Sequence, residues 1–562
     1  MNKIYVPVGT SDFREIREEE YYYIDKTGLI KELLSTKGTK VTLFTRPRRF
    51  GKTLGMSMLA HFFDIREDSR ELFQGLKISE NRELCENWMN QYPTIFVSFK
   101  DINGLEFSAA YERLQGMLVE LFKKYEYLLK SDEVYDDDKR IFRLIKSEEA
   151  SFGHISRSLL VLTHMLQDYY KKPVILLIDE YDVPVAKASE NGYYREMLDV
   201  IRNILSTALK DNTALKFAVV TGCLRITKES IFTGVNNFTT DTISDRRYDE
   251  YFGFTQAEVE QLLKDAELEK QFELVQQWYD GYHFGDMDIY CPWDVLNYVN
   301  KAMIQGTVQP ENFWENTSGN TIIRQFLERT EYDITEKFEI LLDGGYIKEE
   351  ISETLTYDVV YSSEKNLWSL LYMTGYLTKV EPEKLLPEER SEFQKMFLQI
   401  PNAEVMDIFR KSVVEWFYDK SINSDRREFF EALWNGNASK LTELLSDLLF
   451  DTISFHDYAE SFYHAFVTGL VASAGYIVES NYENGLGRSD IVIKDRRNRR
   501  AVVIEAKIAS SEDRLETECQ NAIKQIEENQ YARKIERSGF RKVVRYGIAF
   551  YKKECLVKSV NE

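Results

Sequence analysis

The chain has 562 residues, 43% of them hydrophobic, 29% charged and 13% aromatic, and a formal net charge of −21. That composition suits a soluble globular protein of roughly three to four domains, and it excludes collagenous, low-complexity and repeat architectures. No run approaches the ~18 apolar residues that span a membrane, and the acidic total argues against nucleic-acid binding over the whole surface.

Residues 1–20 contain no apolar signal core. The five cysteines, Cys85, Cys223, Cys291, Cys519 and Cys555, are scattered and form no C-x-x-C pair. A cytoplasmic, reducing setting is therefore expected, without a zinc site or disulfide framework. The aromatic and acidic segment 13–34 comes next. Residues 21–24 are expected to form a short strand, and Thr27 to cap a helix over 28–34. Such a segment either contacts a nucleotide base or packs on a sheet edge.

Residues 41–45, VTLFT, read as a buried strand. A basic loop, 46–52, follows, and from Thr53 the spacing of Leu54, Met58, Leu59, Phe62 and Phe63 becomes helical. Strand, loop ending in Gly-Lys-Thr, and helix is the layout of a phosphate-binding loop. Backbone amides at a helix start favour an anion. Gly51 lets the backbone approach, Lys52 reaches the β- and γ-phosphates, and the Thr53 hydroxyl holds Mg²⁺. Arg46 stands where the G-x-x-x-x-G-K-S/T pattern has its first glycine. The competing reading is a basic turn before an amphipathic helix.

Residues 94–99 give a second strand, 106–130 and 154–170 long amphipathic helices, and 131–139 an acidic loop between them. Residues 174–178 form a fully apolar run that ends in Asp179 and Glu180. An acidic pair at that end of a strand is the Walker B arrangement, in which Asp179 supports Mg²⁺ and Glu180 polarises the attacking water. A surface loop after a core strand is the competing reading. A helix over 193–210 and a strand over 215–220 complete the pattern. Alternating strands and helices predict a parallel sheet covered on both faces. Ligands then sit at the C-terminal strand ends, which collect residues 46–53, Asp179, Glu180 and 221–225. Arg225 and Asn236 are placed to read a γ-phosphate, or are ordinary loop residues.

Thr255 opens a helix with Glu258 as its capping-box partner. The pattern to about 455 is mostly helical, with an aromatic-glycine turn at 278–285. Residues 367–380 form the core of a small helical or winged-helix unit. The end of the chain differs. Residues 456–562 hold 18 Lys and Arg against 16 Asp and Glu, a net +2, whereas 1–455 holds 54 against 77, a net −23. An amphipathic helix over 459–470 carries Glu460. A strand over 476–480 and a turn over 481–488 lead to Asp490, just before the strand 491–493. The strand 501–504 runs into Glu505-Ala506-Lys507, and a helix over 516–537 carries Gln525 and Tyr531. An Asp followed by Glu-x-Lys on adjacent strands is the PD-(D/E)xK nuclease layout. Alternate strand residues share a face, so Glu505 and Lys507 point into one cleft that Asp490 can reach. The carboxylates bind Mg²⁺, with Glu460 from the flanking helix in the expected metal set, and Lys507 orients water or offsets charge. A hairpin with a surface salt bridge is the bland alternative. Lys494, Arg496, Arg497, Arg499 and Arg500 lie between the two strands as an exposed basic tip or a solubilising turn.

The segments YYYIDKTGLIKELL, RPRRFGKT, LLIDEYDVP, VTGCLRITKESIFTGVNNF, YFGFTQAEV and WYDGYHFG resemble the AAA-ATPase-like family of bacteria and archaea, and 460–507 resembles its companion C-terminal PD-(D/E)xK domain. In that family RPRRFGK is the usual loop, so Arg46 is no departure. The resemblance implies a P-loop AAA-like core over 1–253, a helical lid and middle region over 254–455, and a nuclease-like domain over 456–562. It implies ATP and Mg²⁺ as cofactors. The nucleotide site is Arg48, Arg49, Phe50, Gly51, Lys52, Thr53, Asp179 and Arg225, and the catalytic groups are Glu180, Asp490, Glu505 and Lys507. DNA is the expected partner of the last domain, with self-association as a source of any arginine finger and no membrane. The first reading is an ATP-dependent nuclease. The alternative is a nucleotide-switch scaffold whose last domain binds nucleic acid without cutting, and a third keeps the nuclease fold for packing alone.

Overall fold

Strand β1, Val41–Thr45, is buried at every residue. Its alternation sends Val41 and Leu43 into one hydrophobic layer and Phe44 into another. β2 is Thr94–Ser98. β3, Val174–Asp179, divides like β1, with Leu176 and Ile178 on the first side and Ile175 and Leu177 on the second. Both faces are covered, so the runs are continuously apolar rather than alternating. With β4, Leu215–Gly222, and β5, Phe238–Asp241, they form a sheet ordered β2-β3-β4-β1-β5 in which every neighbouring pair is parallel. The expected α/β class with a doubly covered parallel sheet holds.

The computed structural model describes residues 4–36, 38–225, 238–306, 308–314, 323, 334–357, 359–387, 389–391, 395–422, 427–452, 463, 467–468, 470–471, 476–484, 487–529, 531–551 and 554–560. Asn236, Glu460 and most of 459–470 lie outside them, as do the side chains of Asp490 and Tyr531.

Several local expectations change. Residues 21–24 form no strand. Helix α1 is Phe13–Glu18 and α2 is Gly28–Ser35. Thr27 precedes α2 but does not cap it: its hydroxyl donates to Asp25 at 2.6 Å and accepts from the Ile78 amide at 3.1 Å. α3, Lys52–Phe63, is the helix expected after the basic loop. The acidic loop at 131–139 is partly helix, because Asp136, Asp137 and Asp138 fill the first turn of Asp136–Lys146, where carboxylates suit the helix dipole. β5 emerges from a stretch read as loop. It has four residues and only Asp241 is buried, too short a signal for periodicity.

The Thr255 to Glu258 capping box is present, with both reciprocal hydrogen bonds. The aromatic-glycine turn is the hairpin Tyr282–Phe284 with Met287–Tyr290, joined by Phe254–Thr255 in a three-stranded sheet. Helix Glu364–Met373 and strand Thr378–Lys379 occupy the stretch read as a small helical unit.

Near the C-terminus five strands form one sheet in sequence order: Ile477–Asn484, Gly487–Asp495, Arg500–Ile508, Lys542–Tyr551 and Glu554–Ser559. Only the third and fourth are parallel, and helix Leu515–Glu528 lies in the crossover between them. The region read as one helix over 516–537 is two, this one and Tyr531–Arg537. The chain divides into two compact units, Met1–Phe313 with Lys348–Glu404, and Trp314–Ile347 with Val405–Glu562. No helix among the described residues is long and apolar enough to cross a membrane.

Candidate functional site

The loop between β1 and α3 is built around two left-handed residues, Arg49 (φ 72°) and Gly51 (φ 82°). A Cβ on Gly51 would meet nothing within 4 Å, so the backbone angle, not space, calls for glycine. This path turns the chain end-on into α3. Among the described residues, no amide from Arg48 to Leu54 donates to a backbone carbonyl; the ladder begins with the Gly55 amide on the Gly51 carbonyl at 2.9 Å. A run of unsatisfied amides at a helix start is a cradle for phosphate oxygens.

Lys52 is only 4% exposed. Its ammonium lies inside the loop, donating to the Pro47 and Arg46 carbonyls at 2.7 and 3.0 Å. The Thr53 hydroxyl donates to Asp179 Oδ2 at 2.9 Å. Asp179 is fully buried and also accepts from Thr221 Oγ1 at 2.6 Å and Ser98 Oγ at 3.2 Å. Three hydroxyls from α3, β4 and β2 thus hold one carboxylate at the end of β3. This donor set fits a hydrated Mg²⁺, which prefers one or two carboxylates and retained waters. Glu180 follows in a left-handed conformation (φ 51°), its amide on Thr221 Oγ1 at 3.3 Å. Burial pushes its carboxyl up, Lys52 opposes this, and Asp179 and Asp182 add to it.

The basic residues of the loop separate. Arg46 is fully buried, bonded to the Asp241 carboxylate and carbonyl, with Phe252 and Phe284 rings 5.5 and 5.6 Å from its guanidinium carbon. It locks β1 to β5 and faces no phosphate site. Arg48 sits among Cys223, Tyr357, Asp182 and Glu180, which hold its guanidinium firmly protonated despite burial. Arg49 turns away, donating to the Phe313 carbonyl at 2.7 Å and lying 4.6 Å from the Trp293 ring. Phe50 is buried against Tyr282 and Phe284. The structure therefore gathers Arg48, Lys52, Thr53, Asp179 and Glu180, while the Arg49 and Phe50 side chains pack elsewhere. Arg225 leaves β4 half-buried, beyond the Thr221 edge.

Asp182 carries no role in the sequence reading yet organises the rear of the site. Its Oδ2 accepts from the Cys223 and Leu224 amides, both at 2.9 Å, and from Tyr357 OH at 3.1 Å. A Cβ on Gly222 would lie 2.6 Å from Tyr181 and 2.8 Å from Asp182 Oδ1, so this close approach requires glycine. The signal was present in DEYD and TGC, but only pairing β3 with β4 gives it meaning.

In the second unit, Ile491 pairs with Ile504 across antiparallel strands. The ladder ends at that pair, and Asp490 and Glu505 are the next residues on the two strands. Asp490 lies inside its strand rather than before it. Glu505 is 1% exposed, with Lys507 Nζ at 3.4 Å, and it accepts from Gln525 on helix Leu515–Glu528. A buried carboxylate beside an ammonium, with a second acidic residue in sequence on the neighbouring strand, is the chemistry that suits a divalent cation. Of the basic tip, Lys494 is paired with Glu479 and Arg500 with Asp495, whereas Arg496, Arg497 and Arg499 are exposed.

Two family models match the chain. Residues 7–232 match a predicted AAA-ATPase, the AAA-ATPase-like family, and residues 458–560 match the PD-(D/E)XK nuclease superfamily. The chain joins an AAA-ATPase-like domain to a C-terminal PD-(D/E)XK superfamily domain. It is also similar to an uncharacterized protein in the vnfD 5′ region of Azotobacter chroococcum mcd 1, 27% identical over 410 residues, 72% of this chain and 69% of that one. Together the two domain families point to ATPase plus nuclease-type function.

Proposed function

We propose that the chain binds and hydrolyses ATP with Mg²⁺ at the β1–α3 loop, and that its C-terminal domain cuts DNA with a divalent metal. The carrying observation is the row of unsatisfied amides around buried Lys52, facing the Thr53 to Asp179 bond. Those amides hold the phosphates, and Lys52 leaves its carbonyl partners to meet the β- and γ-oxygens. Thr53 and Asp179 hold the Mg²⁺, which offsets phosphate charge when bound. Glu180 orients the attacking water, and Arg48 is the cationic group on the same side. An apolar pocket abuts the loop, lined among others by Pro7, Tyr23, Leu54, Gly55, Tyr251 and Phe254. In the second unit, Asp490 and Glu505 would hold a divalent metal, which would supply Lewis-acid activation of water; Lys507 offsets charge on the phosphodiester, and Gln525 fixes the Glu505 carboxylate.

Two substitutions in the full chain test this. Lys52→Ala should abolish ATP binding by calorimetry with the melting temperature preserved; unchanged affinity would overturn the nucleotide site. Glu505→Ala should abolish Mg²⁺- or Mn²⁺-dependent cleavage of plasmid, branched and single-stranded DNA. Wild-type protein that binds DNA but cuts none of these substrates would return the domain to a binding role.

A further inference from the structure

The nuclease-like sheet borders a cleft on the face away from Glu505. Strand residues alternate, so Arg500, an odd number of positions from Glu505, projects to the opposite side. The packing agrees. Glu505 meets Gln525 of helix Leu515–Glu528, while the Arg500 guanidinium lies 4.3 Å from the Trp434 ring of helix Arg427–Asn435. Between that helix and the end of the sheet is a cleft of about 460 Å³, lined by Arg427, Phe430, Glu431, Trp434, Tyr476 and Arg500. Its size is that of a small-ligand site.

The lining has a specific chemistry. Trp434 is 3% exposed and forms the floor, with Arg500 on its face and Tyr476 edge-on at 5.2 Å. Phe430 and Tyr476 sit 5.3 Å apart at 48°, both half-buried, so aromatic surface borders the opening. Asp495 takes Nε of Arg500 at 2.8 Å and is itself occupied by Asn498. The hairpin tip beside Arg500 exposes Arg496, Arg497 and Arg499, with no ion pair among the described residues. The Arg499 carbonyl accepts from the Arg541 and Lys542 amides, which adds two more exposed cations at the same end. An aromatic platform next to a row of exposed cations is the combination that holds single-stranded nucleic acid: bases stack on the rings and phosphates follow the charge.

We propose that this cleft binds an unpaired nucleotide of a nucleic-acid strand, its base against Tyr476 and Phe430 and its flanking phosphates on the 496–499 tip and Arg427. The proposal rests on the nucleic-acid reading of this domain. It makes the cleft an anchor separate from the Glu505 centre. Duplex bases are stacked internally and cannot use it, so the cleft favours single-stranded over duplex substrate.

The test is fluorescence anisotropy of the full chain with a labelled dT oligonucleotide of about 16 residues and a duplex of equal length. Tyr476→Leu and Phe430→Leu keep apolar volume and remove the ring. Each should weaken dT binding by about 5- to 150-fold, the range for losing one base–aromatic stack, and leave duplex binding within about twofold. Tyr476→Trp should restore dT binding, which a merely structural role would not predict. Replacing Arg496, Arg497 and Arg499 by Glu should weaken both substrates. If wild type binds both substrates and the ring variants bind dT normally, or lose both equally, the cleft proposal falls and the nucleic-acid reading stands. If wild type binds neither, both fall together.

Discussion

Where each basic side chain of RPRRFGKT lies is decided by where the neighbouring elements put counter-charges and ring faces. Arg48 remains beside Glu180 and Asp182, while Arg49 is drawn to the Phe313 carbonyl and the Trp293 ring. Arg48→Ala should therefore lower kcat for ATP by at least about 10²-fold, as loss of a transition-state cation does. Arg49→Ala should leave kcat within a few-fold and lower the melting temperature instead; equal kcat losses in the two variants would erase the distinction. These placements were not legible in the sequence, since both arginines read as phosphate ligands there. Asp294, fully buried with Cys291, Glu404 and Arg49 around it, has its carboxyl pushed up from 3.8 to about 6, chiefly by burial. A raised carboxyl favours the protonated native state, so its stabilising contribution is complete below pH 3.8 and lost as pH rises through about 6. Asp294→Asn removes that dependence. The unfolding free energy of the variant relative to wild type should climb across this window, by up to about 3 kcal/mol, and level off above it. A flat difference in urea titrations at several pH values would show that Asp294 is not buried as a charge.

At the scale of elements, the long apolar strands and the helix after the basic loop were legible because both faces of the sheet are buried and α3 keeps its spacing. β5 and the strands Lys542–Tyr551 and Glu554–Ser559 were not. Each depends on a partner remote in sequence: β5 on β1, and Lys542–Tyr551 on Arg500–Ile508 across a helical crossover. Arg46 shows what fixes β5. Burial pushes the Asp241 carboxyl up, and Arg46 pulls it back down. Removing one partner strands the other charge in the interior, so Arg46→Ala should destabilise the chain by about 3–5 kcal/mol. The Arg46→Leu, Asp241→Leu pair should recover much of that loss. If the single variant unfolds at the wild-type urea midpoint, the pair is not what holds β1 to β5.

For the molecule as a whole, the charge contrast in the sequence favours the last domain for any nucleic-acid contact, because 456–562 is near neutral and the remainder strongly acidic. The carboxylate–lysine pair Glu505 and Lys507 was equally legible, since two residues on one strand need no long-range information. Gln525 became a Glu505 partner only once the crossover helix was seen to fold back on the strand. We propose that nucleotide state governs cutting in this pairing of domains, and separate variants in one full-length chain test it. Glu505→Ala should lose cleavage by at least about 10²-fold while ATP turnover stays at the wild-type rate. Lys52→Ala should lose turnover, and its cleavage should fall to the level of wild type without ATP. Turnover should also rise with protein concentration if a neighbouring copy supplies a further arginine, an effect worth ~10³–10⁵ where it operates. Cleavage by Lys52→Ala equal to that of ATP-saturated wild type would show two independent activities on one chain. Loss of ATP turnover in Glu505→Ala would instead mean that the nuclease-like domain acts on the ATPase, the reverse of gating.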